Sequence, residues 1–217
     1  MKTMRWILIT ACFLYFSQLV AQNFNPVEKG LILAGDTSSV MRVLVFTAPE
    51  DLNVLNTISS DIDPSDPFLP LLARRMYKTM RDTANPGVGI SAPQVGINRN
   101  AIWVQRYDKS GAPFEFYINP KIKKSTILNR KGGEGCLSMP EERGSLLRSY
   151  AILIEYQTFD GIIHTEMVED FTAVIFQHET DHLKGMILPD RMREQQNSFA
   201  LPLPQGMELF IKPSMGL

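Results

Sequence analysis

His178, Glu179 and His182 stand within the stretch FQHETDHLKG at 176–185, two of the chain's three histidines four residues apart with a carboxylate beside the first. On a helix, residues i and i+4 lie one above the other, so two imidazoles at this spacing can bind one metal ion. Glu179 would then project beside the metal, where a carboxylate can take a proton from an attacking water and return it to a leaving amine. The pattern has three fixed residues in five. Read alone, it also fits a helix with two surface histidines. A hydrolytic site of this kind needs a third protein ligand and an open position for water. The glycine-rich stretch KGGEGCLSMPEER at 131–143 holds Cys136, whose thiolate would complete a Cys-His-His set. A buried, inert thiol is the alternative.

The elements that must position these groups follow from periodicity and turn chemistry. DPFLPLLARRMYKTMRDT at 66–83 places Phe68, Leu71, Leu72, Met76 and Met80 near helical spacing, and predicts an amphipathic helix with Asp66 as N-cap and Pro67 in the first turn. NPGVGISAPQVGINRN at 85–100 is dense in Gly and Pro and reads as an irregular loop. AIWVQRY at 101–107, FEFYINP at 114–120 and AILIEYQTF at 151–159 read as strands, and Asp160-Gly161 joins the last to IIHTEMVE as a hairpin. VMRVLVF at 40–46 could add a strand. From Asp170, a possible N-cap, to Gly185, a possible stop, the pattern is helical, with Phe171, Val174, Ile175, His178 and His182 on one inward face. His164 has no such company and reads as a polar strand residue.

The totals bound the partners. The chain has 217 residues, 44% hydrophobic and 21% charged, enough for one domain with its own core. A net charge of −1 supplies no global basic field, so nucleic acid is not expected as a partner. Residues 1–21 carry Lys2 and Arg5, an apolar run from Trp6 to Phe16, then smaller and more polar residues up to Ala21, the layout of a secretory signal peptide. That run is short for a membrane span. Leu19 sits where a small residue is preferred before a cut at Ala21, so the site is imperfect. The mature chain would keep Cys136 and lose Cys12, which leaves no intramolecular disulfide. The expected division is a leader at 1–21, a catalytic domain at 22–193 and an irregular tail at 194–217. Export to a bacterial periplasm is the expectation, and a cytoplasmic protein the alternative.

Two stretches, EGCLS at 134–138 and QHETDHL at 177–183, together with GVGISAPQ at 87–94, resemble the peptide deformylases. That family carries a Gly-x-Gly-aliphatic-small-Ala-x-Gln loop, then Glu-Gly-Cys-Leu-Ser, then Gln-His-Glu-x-Asp-His-Leu, in this order. Ile90 and Ser91 replace the commoner Leu and Ala. SMPEERGSLLRSYAILIEYQTFDG at 138–161 and GMILPDRM at 185–192 also resemble the family, so the likeness runs from about residue 66 to 193.

The resemblance implies an α+β fold, with antiparallel or mixed sheets around a central metal-binding helix. It implies Cys136, His178 and His182 as ligands of one divalent ion, ferrous iron with zinc or nickel able to substitute, and Glu179 as general acid and base. Gln94 and the Leu137 backbone N–H would donate to the formyl oxygen. Glu134 and Arg148 would brace the cysteine loop, and Arg143 would bind peptide backbone. Gly87 and Gly89 would let an extended peptide approach closely, with Ile90, Phe171 and Ile175 as candidates for an apolar methionine pocket. The implied substrates are N-formyl-methionyl peptides or nascent polypeptides, and the implied state a monomer. An exported metallopeptidase with the same zinc-type motif, or a peptide- or metal-binding protein without turnover, are the other readings. Cys136 and Gln94 argue against the first, and the complete catalytic set against the second.

Overall fold

The computed structural model describes residues 22–198, 200–203 and 209–211. The leader-like pattern at 1–21 lies outside the described residues. Two short helices, α1 (Pro26–Leu33) and α2 (Pro49–Leu55), precede α3 (Leu69–Met80). Helix α1 starts where Asn25 and Glu28 cap each other reciprocally. Helix α3 starts later than its pattern suggests. Asp66 is committed elsewhere: its carboxylate accepts from the N–H groups of Phe68 at 2.9 Å and Phe24 at 3.0 Å, so it holds the turn before the helix.

Strands β1 (Gly89–Ser91), β2 (Ala101–Gln105), β3 (Phe114–Ser125), β4 (Leu128–Cys136), β5 (Met139–Ser149), β6 (Ala151–Gln157) and β7 (Ile163–Glu169) follow, then helices α4 (Asp170–Leu183) and α5 (Leu188–Gln195). The Gly/Pro-rich stretch expected to be a loop thus contributes β1, and a 3-10 turn over Ala92–Val95. KGGEGCLSMPEER is also more regular than its glycines suggest: it forms the β4–β5 hairpin, turning at Leu137 and Ser138. Asp160-Gly161 makes the expected turn between β6 and β7, with Gly161 at φ +76°.

The strands form two sheets, both antiparallel: one of order β1-β2-β3-β6-β7, the other of order β5-β4-β9-β8. Strands β8 (Leu201–Pro202) and β9 (Leu209–Ile211) come from the segment expected to be an irregular tail. That expectation is corrected: Leu209–Ile211 pair with Leu128–Arg130 of β4, and α5 runs past residue 193. Pro202 is compatible with β8 because that strand lies at the sheet edge, where no ladder N–H is needed. VMRVLVF is no named strand. Its backbone still ties two site loops, because Leu44 N–H donates to Gln94 O at 2.8 Å and Phe46 N–H to Ser138 O at 3.2 Å.

Helix α4 lies between the sheets. Ala173, Ile175, Phe176 and Leu183 pack on Ile102, Val104, Tyr117, Ile152 and Ile154 of the first sheet. It is buried on nearly every side rather than along one stripe; Asp170 and Phe171 at its start are exposed and Gln177 is half-buried. Asp170 is the first helical residue and not its cap. Its N–H donates to Tyr150 O at 2.7 Å, and its φ is +54°. No described helix is long and apolar enough to cross a membrane.

Candidate active site

The two histidines of α4 are buried, and the turn of the β4–β5 hairpin carries Cys136 against them. Cys136 Sγ lies 3.3 Å from His182 Nε2, and the donor atoms of Cys136, His178 and His182 all lie within 4.8 Å of one another. Burial opposes ionisation of the thiol, but His182 and His178 prevail and hold it well below its ordinary value. A soft thiolate facing two imidazoles fits a tetrahedral or five-coordinate divalent ion. One of the imidazoles is already oriented for that role: His178 Nδ1 is 2.9 Å from Glu134 Oε2, which leaves Nε2 free to ligate.

Glu134 is in turn gripped by Arg148, with Nε–Oε1 at 2.7 Å and Nη2–Oε2 at 2.9 Å. Burial alone would raise the Glu134 carboxyl, yet the Arg148 guanidinium and His178 hold it below its usual range. The Glu134–Arg148 ion pair anticipated from the sequence forms, and Glu134 contacts His178 as well. Arg148 also donates to Asp181 Oδ2 at 2.6 Å, and Arg191 of α5 grips the same carboxylate. Sequence reasoning assigned Asp181 and Arg191 no role, although both lie in stretches that carry the family resemblance. Ion-pair partners 10 residues apart on different helices leave no local pattern.

Glu179 lies beside the cluster, 4% exposed, with Oε2 unpartnered among the described residues. Burial pushes its carboxyl up to about 7, with the two histidines opposing and the Cys136 sulfur adding to the rise. A carboxylate poised near neutrality can both accept and return a proton. Gln94 is buried opposite. Its Oε1 accepts from the Ser91 N–H at 3.0 Å and Oγ at 3.1 Å, so its NH2 is turned toward Ser138 Oγ at 3.3 Å and Cys136 Sγ at 3.4 Å. Ser91 and Ser138, unassigned in the sequence, set this orientation.

Gln94, Cys136, His178 and Glu179 face a cavity of about 280 Å³ lined also by Gly87, Gly89, Leu137, Arg143, Phe171 and Ile175. Gly89 approaches Glu179 so closely that a Cβ there would meet Glu179 Oε1 at 2.5 Å and Ile175 Cγ2 at 2.8 Å. Ile90 does not line the cavity, contrary to its expected place in the methionine pocket. Successive strand residues point to opposite faces, so with Gly89 toward the site Ile90 points away, fully buried in the core beside Leu72, Met76 and Ile118. Val88 and Val174 line the cavity instead.

A sequence profile described as polypeptide deformylase matches residues 42–198, most of the described chain. The chain belongs to the polypeptide deformylase family. Its activity is that of the family, metal-dependent hydrolytic removal of an N-terminal formyl group. A peptide deformylase of Caulobacter sp. (strain K31) is 33% identical over 165 residues, covering 75% of this chain and 94% of that protein. Among solved deformylases, the Thermotoga maritima enzyme superposes with a TM-score of 0.63 at 34% identity, over 71% of this chain and 98% of its own. A class I type b enzyme from Acinetobacter baumannii with Met-Ala-Ser bound gives a TM-score of 0.63 at 32% identity, over 71% and 99% of the two chains. These deformylases leave about a quarter of the present chain unmatched. The profile begins at 42, beyond α1, which is nevertheless integrated here: Arg99 forms a buried pair with Glu28 at 2.8 Å, and Arg75 donates to Leu31 O and Ile32 O.

Proposed function

We propose that the chain removes formyl groups from N-formyl-methionyl peptides, nascent or released, with Cys136, His178 and His182 as ligands of ferrous iron. The observation that carries the reading is the gathering of the Cys136, His178 and His182 donor atoms within 4.8 Å of one another, beside an unpartnered Glu179 oxygen and an aimed Gln94 amide. A divalent ion held by this set would polarise a carbonyl and acidify a water. The thiolate-imidazole set also accepts zinc or nickel; iron is preferred on the family resemblance.

Substrate would lie with its formyl carbon between Glu179 and Gln94. Glu179, ionised, takes a proton from the attacking water as that oxygen bonds to the formyl carbon. Gln94 Nε2 and the Leu137 N–H donate to the formyl oxygen as it gains negative charge, an interaction stronger in the transition state than in the bound substrate. Glu179, now protonated, gives its proton to the departing amine as the C–N bond breaks, and formate and a free N-terminus result. Phe171 and Ile175, with Val88 and Val174, supply apolar contact for the methionine side chain, while Arg143 and the edge of β1 hold peptide backbone. A bound Met-Ala-Ser in the Acinetobacter baumannii relative supports a tripeptide-length footprint. We further propose that the protein acts as a monomer and, on the leader-like pattern of 1–21, is exported.

Anaerobically prepared, iron- or nickel-loaded protein should release formate from formyl-Met-Ala-Ser. No release by metal-replete protein refutes the assignment. Cell fractionation with N-terminal sequencing tests export, which a cytosolic protein starting at Met1 would overturn.

A further inference from the structure

Charges alternate along one continuous path from the surface of α5 to the metal cluster. Arg191 Nε and Nη2 contact Asp181 Oδ2 and Oδ1 at 2.8 and 2.5 Å. Asp181 Oδ2 accepts from Arg148 Nη1 at 2.6 Å, Arg148 grips Glu134 with two bonds of 2.7 and 2.9 Å, and Glu134 Oε2 meets His178 Nδ1 at 2.9 Å. Asp181, Arg148, Glu134 and His178 are all buried, whereas the Arg191 side chain is 24% exposed. An exposed ion pair usually contributes little. Arg191 differs because its planar fork meets both oxygens of a buried carboxylate, which fixes that carboxylate's rotation.

We propose that Arg191 is a positioning residue for the metal ligand His178, acting through Asp181, Arg148 and Glu134. The proposal rests on the reading of His178 as a ligand. The physical reason is the number of restraints on each group. Both Asp181 oxygens are held in part by Arg191, and without it Asp181 keeps the single contact with Arg148. The carboxylate is then free to turn and to draw the guanidinium with it. Among the described residues, Arg148 is the only side chain besides His178 that binds Glu134, so a shift of Arg148 is passed to Glu134 and to the plane of the His178 ring. Partners that orient a ligating imidazole tune metal retention even when they never touch the ion. Helix α5, which packs on β5, would thereby be coupled to the metal geometry.

The test uses cobalt-substituted full-length protein. Visible absorption of bound Co2+ and its release rate to a chelator are compared for wild type, Arg191→Ala, Arg191→Lys and Arg193→Ala. Arg193 lies on the same helix, 72% exposed, and contacts Asp190 alone among the described acidic residues. Arg191→Ala is expected to shift the cobalt spectrum and to release metal roughly 3–10-fold faster. Arg191→Lys, which keeps the charge without the fork, should fall between, and Arg193→Ala should match wild type. An Arg191→Ala protein with the wild-type spectrum and release rate overturns the proposal, even if its melting temperature falls. Should that variant not fold, Arg191→Lys decides by the same two readouts. Wild-type protein that takes up no cobalt would sink the metal reading and the relay together; normal loading with unchanged variants sinks the relay alone.

Discussion

Substituting Gly89 by alanine adds one methyl group at the point where β1 passes close to the Glu179 carboxylate, the proposed general base. The new Cβ would lie 2.5 Å from Glu179 Oε1 and 2.8 Å from Ile175 Cγ2, and relief to the 3.0–3.4 Å range requires the first contact to open by roughly 0.5–0.9 Å. The strand cannot supply that movement, because Gly89 and its neighbours are paired with Ile102, Trp103 and Val104 of β2. The helix backbone is buried between two sheets, so the Glu179 side chain must move instead. A misplacement of about 1 Å can cost about 10²-fold in rate, so kcat should fall by roughly 30–100-fold, about 2–2.7 kcal/mol of transition-state stabilisation. KM should stay nearly constant, because Glu179 contributes to proton transfer rather than to binding the resting substrate. Overpacking should also lower stability by about 1–3 kcal/mol. Steady-state formate release from formyl-Met-Ala-Ser, run on folded, metal-replete protein, measures the split. A variant within threefold of wild type in kcat would refute the claim that Gly89 sets the position of Glu179.

Three further outcomes are expected. Ile90→Val should cost about 0.5–1.5 kcal/mol in chemical denaturation and leave kcat/KM unchanged, whereas Ile175→Ala should raise KM for a formyl-methionyl peptide by roughly tenfold; the reverse would put the methionine pocket on the wrong side of β1. Glu134→Gln removes a carboxylate that orients His178 and should speed metal loss to a chelator by roughly 10–100-fold, while unchanged retention would detach Glu134 from the site. Glu134 and Asp181 are held below their ordinary values of 4.5 and 3.8, burial opposing and their arginine and histidine partners prevailing. Depressed folded values mean that this stability is present above those values and is lost as pH falls through the lower folded ones. Stability should therefore drop below about pH 4.5, less steeply in Asp181→Asn, and an equal slope in the two proteins would argue against the network as its source.

The clustering of His178, Glu179 and His182 was legible because a helix repeats every 3.6 residues, which turns their spacing into a geometric statement. Cys136 and Gln94 needed the motif order as well, since nothing in the residues between these two positions, 42 apart, says that a strand turn and a 3-10 turn will converge. Strands rich in β-branched and aromatic residues were legible for the same local reason, and so was the Asp160-Gly161 hairpin.

What folding alone decided lies where long-range partners override local preference. Asp66 and Asp170 carry cap chemistry in sequence, but Asp66 divides its carboxylate between the Phe68 N–H and that of distant Phe24, and the Asp170 backbone N–H donates to Tyr150 O, so neither is the cap of its helix. Gly89 and Ile90 are adjacent, yet the pleat sends one to Glu179 and the other to the core; only the pairing of β1 with β2 sets which. The segment after 193 lacks a periodic pattern because β9 has three residues, and β4 provides its ladder. The sequence by itself determined the family and which polar side chains α4 carries on one face. The tertiary structure decided which face of β1 meets the cavity and how Asp181 and Arg191 join the Arg148–Glu134–His178 network, because burial and charge pairing act between residues that sequence separates.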